Sequence, residues 1–351
     1  MDFALNNEQQ MLLESAQRFF ADNHPLARAR KALPFSAPEQ QQLWSDMANM
    51  GWMSLLMPES MDGLGLGITD AYLVAEAAGS QLLNLPWASS AVLLPLWTKA
   101  AAAGAPDTLV SMLEDIVTGR RAVHCVKVED ELWDFATQCT DTVVVRGLDN
   151  MSVPLEIAIQ PAITPSASIA GLDPTLRQSR RPTDSNTFEW LRLDGICHQD
   201  RIHAHSAWRL MQCAELIGLA QAALKLGASY AAERMQFGKA IGSYQAIKHQ
   251  LANAWMAIDN ARLAALYASA ALDGQLTDAP FSCAAAEVTA IEGALQTTRT
   301  VIQVHGGMGF TWEHDAHLYL KRAQLLAARL GGASAALARV EQLALTPLSH
   351  S

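Results

Sequence analysis

Glu233-Arg234-Met235-Gln236-Phe237-Gly238-Lys239-Ala240-Ile241-Gly242-Ser243-Tyr244-Gln245, followed later by Gln303-Val304-His305-Gly306-Gly307-Met308-Gly309-Phe310-Thr311, decides the reading of this chain. Chemically the pair is an Arg and a Gln at a helix end, an aromatic ring beside a Gly, and a second glycine pair. Arg offers a planar, permanently charged fork for phosphate oxygens. Bare glycine N–H groups at a helix end meet the same anion with no side chain in the way. The set suits a bound dinucleotide.

Working outward, the whole chain bounds the class. Its 351 residues suffice for two or three domains or one large three-layer body. Hydrophobic residues make up 50% and charged ones 17%, the balance of a compact globular protein rather than a disordered one. A net charge of −10 argues against a nucleic-acid backbone as the main partner, although a small anionic ligand held by local cations is compatible with it. Cys125, Cys139, Cys197, Cys213 and Cys283 form no CxxC pair, so a zinc or thiol-redox site is not expected and a reduced, cytoplasmic setting is. Residues 1–8 have neither the basic nor the apolar region of a signal peptide. The most apolar window, Leu82 to Trp97, is broken by Pro86 and Pro95 and is too short to span a bilayer.

Helical spacing of Met11, Leu12, Ala16, Phe19 and Phe20 predicts a helix over 8–23, and a second fits Pro38 to Met50 with Ser36 as N-cap. Gly63-Leu64-Gly65-Leu66-Gly67 reads as a loop, with Thr69 capping a helix through Ala71–Ala78. The composition then turns β-branched in four short runs, Ala122–Val128, Asp141–Arg146, Leu155–Gln160 and Thr187–Leu193. From Ala207 long Ala/Leu stretches return. The expected class is α+β, mainly α: a helical domain over 1–108, a middle β-domain over 109–205 and a helical bundle over 206–351. An ordinary bundle core explains Leu251, Trp255 and Ile258, but not an Arg, a Gln and a Phe beside Gly238 and Gly242.

Taken together these residues resemble the acyl-CoA dehydrogenase family of flavoproteins. Met1-Asp2-Phe3 with Glu8-Gln9 is similar to the family's opening, and Gly51-Trp52 through Pro58-Glu59 with Gly63-Leu64-Gly65 to its first-domain pattern. Arg234-Met235-Gln236-Phe237-Gly238 with Gln245 and His249 resembles its best-known signature; Gln303-Val304-His305-Gly306-Gly307 with Thr311 resembles the second. The resemblance implies a four-helix C-terminal bundle and FAD as cofactor. It implies that Arg234, Gln236 and Phe237 hold the pyrophosphate and adenine of one protomer's FAD. Gln303, Gly306 and Gly307 would reach that FAD from a neighbour, and Thr311 and Glu313 fit the pattern just after. The implied reaction removes the proton α to a thioester carbonyl and passes hydride from the β-carbon to flavin, giving a 2-enoyl-CoA. An acyl-CoA substrate, an electron-transfer flavoprotein as acceptor and a homo- or hetero-oligomer follow in the same way.

Two departures stand out. The middle region lacks the Thr-Glu-Pro and Trp-(Ile/Val)-(Thr/Ser) segments that cover the flavin ring in the family. The usual Tyr-Glu-Gly of the general base reads Arg329-Leu330-Gly331, and the alternative base position falls near Trp208. Glu215 is the only carboxylate between Asp200 and Glu233 and lies on an apolar stretch. Such surroundings raise a carboxyl pKa, as a base for a weak carbon acid needs. Glu215 is therefore the candidate base, against the alternative of a buried Glu paired with Arg262 or Arg299.

Three other features invite function and have plainer readings. Gly63-x-Gly65-x-Gly67 lacks the GxGxxG spacing and follows a helix rather than a strand. Glu313-His314-Asp315-Ala316-His317 lacks the HExxH spacing, and solvated or capping histidines explain it. Trp208, Trp255 and Trp312 read as core or cavity walls, with the wall of a bulky-ring pocket as the sharper use.

Two functions remain. One is a catalytic FAD-dependent acyl-CoA dehydrogenase; short members of this type act as heteromers on bulky, steroid-derived acyl groups. The other is a non-catalytic partner subunit that completes a related chain's site.

Overall fold

The computed structural model describes residues 5–162, 167–182 and 188–345; Met1-Asp2-Phe3 and Thr187 lie outside them. The first helices are α1 (Asn7–Asn23), α2 (Leu26–Ala29), α3 (Pro38–Asn49), α4 (Ile68–Ser80), α5 (Trp87–Ala102) and α6 (Asp107–Val117). Seven short strands follow: β1 (Val123–Lys127), β2 (Leu132–Trp133), β3 (Asp141–Arg146), β4 (Glu156–Pro161), β5 (Ile169–Ala170), β6 (Arg177–Arg180) and β7 (Leu191–Arg192). The chain then runs through α7 (His198–Glu233), the β8–β9 hairpin (Met235–Gln236, Lys239–Ala240), α8 (Gln245–Asp273), α9 (Ala279–His305), α10 (Ala316–Arg329) and α11 (Gly332–Leu345). Among the described residues no helix is long and apolar enough to cross a membrane.

Local chemistry explains the start of α1. Asn6 and Gln9 close a reciprocal capping box at α1: the Gln9 N–H donates to Asn6 Oδ1 at 2.8 Å, and the Asn6 N–H to Gln9 Oε1 at 3.2 Å. Two expected caps are corrected. At α3 the N-cap is Ala37, with no side-chain cap bond, and Pro38 starts the helix because its fixed φ is already helical. At α4 the cap is Asp273, whose carboxylate accepts from the Ile68 N–H at 2.5 Å and the Thr69 N–H at 3.0 Å. The Thr69 hydroxyl donates to the same group instead of capping, because a full negative charge answers the helix N-terminus better than a hydroxyl does.

The chain folds as two compact units. One combines 27–67 with 84–208 and carries the sheets, in orders β1-β3-β4-β7 and β2-β6-β5. β1 runs parallel to β3, and β3 pairs antiparallel with β4, Val143 opposite Ile159. Alternation sorts the side chains onto two buried faces. Val123, Cys125, Val143, Val145 and Ile157 join Leu94, Trp97, Leu109, Met112 and Ile116 in one core. Val126, Val144 and Ala158 join Trp133 and Phe188 in another. With both faces covered, the strands read as unbroken apolar runs rather than as alternating ones.

The other unit gathers the chain up to Leu26, Ile68–Leu83 and the chain from Arg209 onward. Here α4 and α7 cross backbone to backbone: a Cβ on Gly79 would strike the Glu215 carbonyl, and one on Gly218 the Glu76 carbonyl. Beside the crossing, Arg262 Nε donates to both Glu76 oxygens, at 3.0 and 2.9 Å. Burial raises the Glu76 carboxyl pKa and Arg262 opposes the rise. Arg262 therefore serves Glu76, and Arg299 lies exposed on α9. Ile258 is buried as a bundle core requires, but Trp255 and Trp312 are 57% and 64% exposed, a correction to their reading as core.

A second buried carboxylate ties the helices together. Glu287 on α9, 2% exposed, accepts from Arg209 Nε at 2.8 Å and Nη2 at 2.6 Å, and from Arg339 of α11. Both guanidinium groups also donate to the Leu330 carbonyl at the end of α10. Glu287→Ala should therefore destabilise the fold by about 3–5 kcal/mol, the cost of leaving buried charge uncompensated. Urea unfolding measures it; a loss below about 1 kcal/mol would mean that water already reaches the two arginines.

Candidate cofactor site

The first motif is a projecting hairpin. Helix α7 stops at Glu233, Met235 pairs with Ala240 and Gln236 with Lys239, and the two residues between have φ of 50° (Phe237) and 78° (Gly238). Two successive positive φ values make the tight loop whose twist suits a hairpin. Gly238 adopts one freely; Phe237 does so at a cost, and a bulky residue held there is a functional signal. The hairpin is braced by the Tyr244 hydroxyl, which donates to the Gln236 carbonyl at 3.3 Å, and by Lys239 lying 4.2 Å over the Tyr244 ring. Arg234 and Gln236 are exposed, and Phe237 is 93% exposed.

The second motif ends α9. Gly306 has φ 61° and ψ −142°, backbone open to little but glycine. A Cβ on Gly307 would meet no atom within 4 Å, so the fold itself does not demand a glycine there. Gln303, Gly306, Gly307, Thr311 and Glu313 are all exposed, and the Thr311 hydroxyl donates to the Met308 carbonyl at 3.0 Å.

Tyr230 joins the two motifs. One turn before Arg234, its ring stacks on His305 at 4.3 Å and 25°, and its hydroxyl donates to Met308 Sδ at 3.9 Å. His314 completes a three-ring cluster, its centroid 4.2 Å from that of His305 and 6.3 Å, edge-on, from that of Tyr230. His305 Nδ1 lies 2.7 Å from the Val301 carbonyl, while its buried Nε2 has no partner among the described residues. Burial lowers the His305 pKa, the Val301 hydrogen bond partly opposes the shift, and His314 adds to it. Sequence reading passed over Tyr230 and gave His305 no role, although the four-residue step from Tyr230 to Arg234 places both on one helix face.

An exposed guanidinium, an amide, a projecting ring and open glycine backbone fit a ligand bearing both phosphate and aromatic groups, as FAD does. Glu215 stands apart. It is half-buried, its backbone sits at the α4–α7 crossing, and 19 residues of helix put it about 28 Å from Arg234. No acid occupies the turn after α10: Leu330 is 1% exposed, and Gly331 and Gly332 follow with φ of 86° and 79°. Trp208 packs, half-buried, against the core of the sheet-bearing unit. Among the described residues no three of His, Cys, Asp and Glu gather as metal ligands. At 313–317, the His314 ring accepts from the Ala316 N–H and His317 meets the Trp312 ring.

Helices, a middle pair of small sheets, a helical bundle and this two-part motif define a flavoenzyme-like class. The description "Acyl-CoA dehydrogenase, N-terminal domain" matches residues 6–107 and "Acyl-CoA dehydrogenase, C-terminal domain" residues 204–341. The chain belongs to the acyl-CoA dehydrogenase family, a family of oxidoreductases in which FAD is typical. It is 29% identical over 335 residues to acyl-CoA dehydrogenase IpdE2 of Mycobacterium tuberculosis, covering 95% of this chain and 96% of that one. Among solved structures, a variant of the Tcur3481-Tcur3483 steroid ACAD matches with TM-score 0.77 at 22% identity, over 96% of this chain and 97% of that one. The ChsE4-ChsE5 complex from Mycobacterium tuberculosis matches with TM-score 0.77 at 22% identity, over 99% and 100%. At that identity the two structures speak for the fold.

Phe237→Gly separates strain from binding. Released strain and added chain entropy nearly offset each other, so stability without cofactor should change by less than about 1 kcal/mol. FAD affinity should nevertheless fall. A stability loss beyond about 2 kcal/mol would instead make Phe237 a structural residue.

Proposed function

We propose that this chain is an FAD-dependent acyl-CoA dehydrogenase, or the catalytic component of one, converting a bulky, steroid-derived acyl-CoA to its 2-enoyl-CoA in the cytoplasm. The observation that carries the reading is the exposed Arg234–Gln236–Phe237 hairpin, tied through Tyr230 to the open Gly306–Gly307 turn. The steroid class rests on likeness to a steroid ACAD, and the electron acceptor is an electron-transfer flavoprotein by family habit.

Each residue has a physical task. Arg234 binds the pyrophosphate through a charge-assisted fork, which a lysine would match poorly. Gln236 and Phe237 hold the adenosine end by amide hydrogen bonding and ring contact. Gln303, Gly306 and Gly307 serve the same cofactor from a second protomer, with backbone N–H groups where a side chain would block approach; Thr311 and Glu313 shape that turn. Bound FAD supplies the hydride acceptor. Glu215 takes the proton α to the thioester carbonyl onto a carboxylate oxygen; its apolar helix face favours such a transfer.

A second reading is a non-catalytic subunit that completes the site of a related chain, in a heteromer such as the ChsE4-ChsE5 complex exemplifies. Its support is Leu330, an apolar side chain buried where family members carry the base.

The visible spectrum and flavin content of the purified chain, alone and co-expressed with a related partner, separate the two. Stoichiometric FAD in the chain alone favours the enzyme; flavin only with a partner favours the shared site. Arg234→Ala should cost about 1.5–3 kcal/mol of FAD binding, about ten- to a hundredfold in Kd. Unchanged affinity would remove Arg234 from the site. Glu215→Gln should keep its flavin and lose most turnover, whereas full activity would clear Glu215 of the role.

A further inference from the structure

We propose that His305 is a positioning residue whose neutral imidazole, packed against Tyr230 and His314, latches the Gly306–Gly307 turn in its cofactor-competent form, so that acid loosens the cofactor. The inference rests on the FAD reading given above and adds a regulatory role for residues that reading does not use.

The geometry is that of a ring with only one protonation state it can hold in place. Nδ1 donates its proton to the Val301 carbonyl at 2.7 Å, one turn back on α9, leaving Nε2 as a bare lone pair. That Nε2 is buried and has no partner among the described residues. A proton added there would put a charged donor in a place with no acceptor, which is costly. The titratable groups facing the ring are the Tyr230 phenol of α7 and the His314 imidazole ahead of α10. A protonated His314 would repel an imidazolium at His305 further.

The turn packs against His305 itself and is joined to its ring through Tyr230. A Cβ on Gly309 would stand 3.1 Å from His305 Cβ and 3.1 Å from the Ile302 carbonyl, so the segment after Gly306 folds directly back onto His305. Tyr230 holds the ring on one face and Met308 of the turn by its hydroxyl. If the ring protonates and leaves this slot, the support beneath Gly306–Met308 goes with it.

The sign follows from linkage. Burial places the His305 pKa below the ordinary 6.5, so the latched state binds fewer protons than an open state in which the ring is solvated. The latch contributes fully above pH 6.5 and is lost as pH falls below that value. The apparent Kd for FAD rises as the competent fraction falls, by at most about tenfold per pH unit between 6.5 and the lowered His305 pKa. By reciprocity, bound FAD should lower that pKa further.

The test uses the full chain, with its partner subunit if flavin is retained only in the pair. FAD Kd is measured by equilibrium dialysis from pH 8 to pH 5 for the wild type and for His305→Phe, which keeps a flat ring in the stack but cannot titrate. The expected result is a steep acid-side weakening in the wild type and a profile flatter by about tenfold in the variant at the acid end. Parallel profiles would overturn the latch while leaving the FAD reading intact. No FAD binding at any pH, with or without a partner, would overturn the reading and the latch together. Should His305→Phe not fold, NMR titration of the His305 ring in the wild type decides: a pKa below 6.5 that drops on FAD saturation supports the latch, and one that FAD leaves unmoved overturns it.

Discussion

The bundle depends on one buried carboxylate. Glu287, placed on α9 and shielded from water, is met by Arg209 of α7 and Arg339 of α11, and both arginines also hold the Leu330 carbonyl where α10 ends. Buried charges tolerate little slack, since each must find its partner at hydrogen-bond distance or bear the desolvation cost alone. Four helices are thereby tied at one point. The same constraint settles what the turn after α10 can do: its carbonyl belongs to the guanidinium groups, and its side chain, Leu330, belongs to the core.

The cofactor motif obeys the opposite logic. Its residues point outward, and the fold spends strain on them. Phe237 is kept in left-handed backbone at 93% exposure, and Gly307 is bare although nothing presses on it. Neither feature helps a lone chain to fold. Both make sense for a surface completed by a ligand and a second protomer, as the proposed function requires. The scaffold beneath is a cluster of three rings, Tyr230 stacked on His305 with His314 against both, rather than a salt bridge.

How far the sequence could be read followed the range of the forces involved. Helices over 8–23 and 38–50, and the strand over Asp141–Arg146, follow from periodicity and β-branching, and the structure places them within a residue or two. The two-part motif was legible because its pattern lies in spacing: a Phe-Gly pair in a two-residue loop, a glycine pair closing a helix. The caps were misjudged for the opposite reason. Asp273 caps α4 from 205 residues away, and no local pattern announces it. Trp255 and Trp312 looked like core because tryptophan usually buries, yet only the packed bundle decides which stripe of α8 faces inward.

The sequence by itself determined the acyl-CoA dehydrogenase family and the strands β1, β3 and β4, since each is written in neighbouring positions, whereas β2, β5 and β6 are too short to carry a pattern. Tertiary structure alone decided that Arg262 serves Glu76, that Arg209 and Arg339 share Glu287, and that Tyr230 stacks on His305. Those pairings join residues far apart along the chain. Many partners are chemically possible for a charge or a ring, and only close packing, which admits one arrangement of backbones, chooses among them.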